Sequence, residues 1–184
     1  PGFKKSRHLF ALNFARNHAA ENMILCEGYM DVIALHAAGF ENAVATLGTA
    51  ITSEQARIFA KYTKKVIISY DSDEAGQRAA NRAMQLLGEV GLEVRVLRVP
   101  DAKDPDEYIR RHGADKFRRV LEGSRSGFQY KLDAILAKYD LTQPEDKIRA
   151  SNECCVLISG YHTGVEREVY IGQVAKHLGL PTDV

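Results

Sequence analysis

From Met23 to Val99 the sequence repeats one pattern: a short, continuously apolar run, then a stretch with helical spacing. The runs are Ile24-Leu25-Cys26, Ala43-Val44-Ala45-Thr46, Val66-Ile67-Ile68-Ser69-Tyr70 and Val94-Arg95-Val96-Leu97-Arg98-Val99. Apolar runs without alternation suit strands covered on both faces, as in parallel sheets. Between them, Thr52 with Gln55 forms a capping box ahead of Ile58, Phe59 and Tyr62 on one face. Ala75, Ala79, Ala83, Leu86 and Leu87 lie close to helical spacing until Gly88 stops the pattern. Asp31 to Ala38 reads as a shorter helix ended by Gly39. The expectation is an α/β fold, a parallel sheet with flanking helices.

After Pro100 the pattern changes to a polar loop, Asp101 to Asp106, and then to helix. Phe128, Leu132, Ile135 and Tyr139 share one face. Thr142 with Glu145, and Pro144 in the first turn, starts a second helix; a third carries Tyr170, Val174, Ala175 and Leu178 and ends at Gly179 and Pro181. The predicted division is a basic segment 1–22, an α/β domain 23–123 and a C-terminal helical bundle 124–184. With 184 residues, the chain is long enough for one ordinary domain and a small annex. No apolar run reaches the length of a membrane span, and the start lacks the apolar core of a signal peptide. Three cysteines, two of them adjacent, exclude a disulfide scaffold and make a reducing, cytoplasmic setting the expectation. The six histidines are scattered without ligand spacing, so none is assigned to metal.

The acids stand where strands should end. Glu27 follows the first run, Asp71 and Asp73 follow the third, and Asp104 and Asp106 lie in the loop after the fourth. Open α/β sheets bind ligands outside the carboxyl ends of their strands, so these acids can converge on one edge. Crowded carboxylates must be protonated or hold cations, and hard oxygen donors point to Mg²⁺ or Mn²⁺. A single Asp in such a place is more often a helix cap, and Asp73 suits that role too. Three strand ends each finishing in acid favour the metal reading.

Four strings carry a family resemblance: Glu27-Gly28-Tyr29-Met30-Asp31-Val32, Ala45-Thr46-Leu47-Gly48-Thr49, Tyr70-Asp71-Ser72-Asp73-Glu74-Ala75-Gly76 and Asp104-Pro105-Asp106-Glu107-Tyr108. In that order they resemble the Toprim domain of the bacterial DNA primase family. Phe3-Lys4-Lys5-Ser6-Arg7 resembles the basic stretch that precedes it, and the helical tail resembles the end of the primase catalytic core. Ser72 departs from the family pattern, which more often has Gly there; the carboxylate geometry should survive unless that position needs positive φ.

The resemblance implies a catalytic-core fragment that makes RNA primers on single-stranded DNA from ribonucleoside triphosphates, forming an RNA–DNA hybrid. A 3′-hydroxyl attacks an α-phosphate and expels pyrophosphate, and two cations stabilise the attacking and leaving oxygens. Asp71, Asp73 and Asp104 are then metal ligands, Asp106 an outer or substrate-dependent one, and Glu27 either a ligand or the general base. Lys5, Arg7, Gly28, Gly48, Thr49 and Arg78 are the nucleotide- or template-binding candidates. No zinc-ribbon cysteine set is present, so no zinc is expected in these residues, and the replicative helicase is expected to bind only through a domain absent here. Weak activity is expected of the fragment alone. An acid with an Asp-x-Asp pair also fits a Toprim nuclease or topoisomerase-like module, although nothing resembles a topoisomerase's nucleophilic-tyrosine domain. A receiver-like module would place its acid pair after the first strand. A net charge of +1 does not exclude nucleic acid, because residues 1–20 carry Lys4, Lys5, Arg7 and Arg16 and no acid.

Overall fold

The structure, a computed structural model, describes residues 4–46, 48 and 50–181. The chain divides into two compact units, Pro1–Gly127 and Phe128–Val184.

The first unit opens with a 3₁₀ turn, Lys5–Arg7, and a short helix α1 (Leu12–Ala15). Then follow β1 (Met23–Cys26), α2 (Tyr29–Ala37), β2 (Ala43–Ala45), α3 (Ser53–Tyr62), β3 (Lys65–Ser69), α4 (Glu74–Glu89) and β4 (Glu93–Val96). The unit closes with α5 (Pro105–His112), α6 (Ala114–Glu122) and β5 (Arg125–Ser126). The strand order is β2-β1-β3-β4-β5, parallel except for the β4–β5 pair. All four β1 residues are buried, as is every residue of β2 and four of the five in β3, which is why these strands read as unbroken apolar runs. Ile24, Leu35, Phe40, Ile67 and Phe117 meet in a core cluster of this unit, where the Phe40 and Phe117 rings cross edge to face at 5.0 Å.

The register decides where function can sit. Cys26 pairs with Ala45 on one side and Ser69 on the other, so three central strands end side by side. The Leu97 N–H, bonded to the Ile68 carbonyl at 2.8 Å, brings the β4 exit to the same edge. The expected α/β class is therefore present, with two additions. β5 is antiparallel and two residues long, and the loop after β4 gives way to helix at Pro105.

The second unit contains α7 (Gly127–Leu136, entered at the boundary), α8 (Pro144–Ser159) and α9 (Gly164–Leu178). Phe128, Leu132, Ala150, Cys154, Ile158, Val174 and Leu178 form its core, with the Phe128 and Tyr170 rings stacked at 3.7 Å. Cys154 is buried and Cys155 exposed, the pattern of a packing residue with an outward neighbour. The predicted Thr142–Glu145 box does not start α8. Gln143 occupies the N-cap without a side-chain bond, and the Thr142 hydroxyl donates to Asp140 at 2.7 Å instead. No helix among the described residues is long and apolar enough to cross a membrane.

Candidate metal and nucleic-acid site

Each strand exit delivers its acid by a local device. β1 ends in Cys26, and Glu27 leaves the buried strand directly. Gly28 then caps α2 in an extended conformation, its N–H donating to the Asp31 carboxylate at 3.3 Å. A Cβ on Gly28 would stand 3.2 Å from that carboxylate oxygen, so glycine leaves room for it. After β3, Asp73 caps α4, accepting from the Gly76 N–H at 2.7 Å. Asp104 caps α5 in the same way, accepting from the Glu107 N–H at 2.8 Å, with Pro105 at the first helical position. Asp73 is thus the helix cap its position suggested, and Asp104 is one as well; in both, the capping bond uses Oδ1.

The carboxylates feel one another. Burial, then the charges of Asp71 and Asp73, pushes Glu27 up from the ordinary carboxylate range, against a backbone hydrogen bond from Asp71. Burial also raises Asp71, as do Asp104 and Asp73, while the Lys103 ammonium opposes them. The largest resolved carboxylate shift belongs to Asp31, pushed up to about 6 by burial and by the charges of Asp104, Asp71 and Asp106. Charge effects thus link Glu27 to Asp71 and Asp73, Asp71 to Asp73 and Asp104, and Asp31 to Asp71, Asp104 and Asp106. Sequence reasoning left Asp31 out of the site by reading it as a helix residue. The available signal was its spacing: four residues after Glu27, at the start of the helix leaving the same strand.

The fit to a metal ion rests on donor chemistry. Among the described residues, no three His, Cys, Asp or Glu side chains stand close enough to clasp an ion. Burial is the largest cause of the upward shifts of Glu27, Asp31 and Asp71, and the neighbouring carboxylates add to it. The donors are all carboxylate oxygens, the set that Mg²⁺ and Mn²⁺ prefer. Asp106 is turned toward Arg110 at 2.7 Å, and Lys103 stands 3.9 Å from Asp104.

The remaining candidates are spread more widely. Lys5 and Arg7 are exposed on the 3₁₀ turn, whose backbone is bonded to Thr52 and Gln55 at the start of α3. Phe10 bridges Ala45 in antiparallel fashion, tying the same segment to the edge of β2. Gly48 has φ 70, a left-handed conformation that favours glycine; Thr49 lies outside the described residues. Arg78 is exposed and paired with Glu74 at 3.4 Å. Ser72 is not among the positive-φ residues, so the departure from glycine costs no strain. At Gly76 a Cβ would overlap the Asp71 carbonyl oxygen and lie 2.9 Å from its carbon. That glycine lets α4 begin against the Asp71 turn.

A parallel sheet whose strand exits carry Glu27, Asp71-x-Asp73 and Asp104-x-Asp106 defines a Toprim-type α/β domain, and a family model described as Toprim-like matches residues 24–109. Relatives narrow the class. The DNA primase of Clostridium acetobutylicum is 38% identical over 179 residues, covering 97% of this chain and 30% of the relative. The zinc-binding and RNA polymerase domains of the Aquifex aeolicus primase superpose with a TM-score of 0.74 at 33% identity, over 98% of this chain and 43% of that one. The RNA polymerase domain of Mycobacterium tuberculosis primase DnaG, in complex with a double-stranded DNA oligomer with a 6-nucleotide overhang, gives a TM-score of 0.82 at 28% identity, over 97% and 59%. The chain belongs to the bacterial DnaG-type primases, as part of their Toprim-containing catalytic core. It spans about 30% of the length of the curated relative. A Toprim primase domain implies a divalent metal, which the oxygen-only donor set fits.

One expectation meets a contrary finding. Residues 128–183 match a model described as the DnaB-helicase binding domain of primase, so the helicase-binding signature is not confined to a segment absent here.

Proposed function

We propose that this chain supplies the metal-binding part of a primase that joins ribonucleotides on a single-stranded DNA template. The observation that carries the reading is the placement of Glu27, Asp71, Asp73, Asp104 and Asp106 after three neighbouring strands of one sheet, where burial and neighbouring charge raise Glu27 and Asp71. Asp71, Asp73 and Asp104 would hold Mg²⁺ or Mn²⁺, with Asp106 entering once it leaves Arg110. Bound there, divalent ions stabilise the negative charge of a phosphoryl-transfer transition state. Glu27, held above its usual range, is suited to take the proton of an attacking hydroxyl or to serve as a further ligand. Lys5 and Arg7 would meet phosphates of template or triphosphate, Gly28, Gly48 and Thr49 would allow close backbone approach, and Arg78 would do so once released from Glu74.

Residues 1–22 act in this reading as a basic arm and 23–127 as the Toprim body; the expected boundary at 123/124 moves to 127/128 because β5 pairs with β4, and 128–184 form the helical annex. The match over 128–183 favours a helicase contact through that annex. The setting is the bacterial cytoplasm, where replication forks supply template. Incubation with labelled single-stranded DNA, ribonucleoside triphosphates and Mn²⁺ tests the activity: slow extension to short RNA supports the reading. Cleavage of the DNA without synthesis would replace it with the nuclease reading.

A further inference from the structure

Gln55 is wholly buried, the largest polar side chain so enclosed among the described residues. Its bonding exceeds what a capping box needs. The Gln55 carbonyl accepts from the Thr52 N–H at 3.0 Å, and the Thr52 hydroxyl accepts from the Gln55 N–H at 3.2 Å; these complete the cap. The rest points away from the helix. The Gln55 amide donates to the Lys5 carbonyl at 3.1 Å and the His8 carbonyl at 2.8 Å, and the Thr52 hydroxyl donates to the Ser6 carbonyl at 2.6 Å. Two side chains thus take three carbonyls of a segment some fifty residues earlier. Both N–H groups of a buried amide are satisfied only if residues 5–8 stay where they are, so the position is strongly specified. Lys5 and Arg7 are exposed on that pinned turn, at the margin where Phe10 joins β2 beside β1.

We propose that Gln55 and Thr52 are positioning residues: they clamp the Lys5–His8 backbone so that Lys5 and Arg7 present a fixed pair of cations to the phosphates of a single-stranded nucleic acid. This rests on the proposed phosphate-binding role of Lys5 and Arg7, which the test separates from the clamp itself. A held cation pair binds better than a mobile one because its ordering entropy is already lost.

The test compares fluorescent oligodeoxynucleotide binding by the full chain, at several salt concentrations, for wild type, Lys5→Ala/Arg7→Ala, Gln55→Glu, Thr52→Val and the combination Gln55→Glu/Lys5→Ala/Arg7→Ala. Gln55→Glu keeps the acceptor for the Thr52 N–H and removes both donors. The expected result is about tenfold weaker binding for Gln55→Glu and for the double alanine variant, with no further loss in the combination. The slope of log affinity against log salt should become shallower by about 0.7 for each phosphate no longer neutralised, a change that mere loss of stability does not produce. Thr52→Val should weaken binding in the same direction. Hydrogen exchange at residues 5–8 guards against variants that fold poorly: it should accelerate in Gln55→Glu while β1 and β3 stay protected. Weak binding by the double alanine variant alone, with Gln55→Glu like wild type, overturns the clamp and leaves the phosphate role standing. Unchanged binding in the double alanine variant, or no binding by wild type, overturns both.

Discussion

At the residue scale, the carboxylate edge is a place where folding and function oppose each other. Asp31 takes up protons more readily in the folded chain than in the unfolded one, because burial and the charges of Asp104, Asp71 and Asp106 lift it to about 6. A raised carboxylate adds stability below its unfolded value, and that stability is lost as pH climbs through the folded value. The metal-free chain should therefore melt at a lower temperature at pH 7 than at pH 5, and Asp31→Asn should flatten the difference. Thermal melts from pH 4 to pH 8 check this; melting that rises steadily over that range would contradict it. Divalent metal should remove the penalty. Glu27, Asp71, Asp73, Asp104 and Asp106 were legible from the sequence because each follows a strand run or an acid-x-acid spacing. Asp31 was not, since its role depends on α2 starting at Tyr29, which turns its carboxylate back toward the Gly28 N–H. The second role of Gln55 was equally hidden. Its partners lie 47 and 50 residues away, where no local pattern reaches.

At the element scale, caps and turns set the site. Gly76 admits the first turn of α4 against the Asp71 carbonyl, so Gly76→Ala must displace either the helix start or the acid turn. We expect a loss of about 1–3 kcal/mol, the usual cost of overpacking, with weaker Mn²⁺ binding alongside it; denaturant unfolding and metal titration measure the two. A second contrast concerns the C-terminal helices. Thr163 caps α9 in a full capping box, accepting from the Glu166 N–H at 3.1 Å, whereas Thr142 bonds Asp140 in an exposed turn. Thr163→Ala should cost about 1 kcal/mol and Thr142→Ala clearly less, by chemical denaturation. The central strands were readable because burial on both faces removes alternation. β5 was not: Arg125–Ser126 is exposed, two residues long and defined only by its pairing with β4. The Thr142 expectation failed because capping residues in sequence do not fix where a helix begins; Pro144 at the first helical position favoured Gln143 as the cap.

At the scale of the whole molecule, a net charge of +1 conceals a separation of signs. Acids gather at the strand exits, and basic residues without acids occupy positions 1–20. In the proposed reading, a divalent ion bound at the acidic edge would offset part of its negative charge and offer phosphate oxygens a cation to coordinate. The central claim is that this edge holds divalent metal through the acids after β3. Titration of Mn²⁺ into the full chain, with free ion followed by electron paramagnetic resonance, tests it against the Asp71→Asn/Asp73→Asn variant, which preserves the α4 cap. The account predicts binding at least about tenfold weaker in the variant, the loss expected when two anionic ligands become neutral amides; equal binding by the two proteins would contradict it.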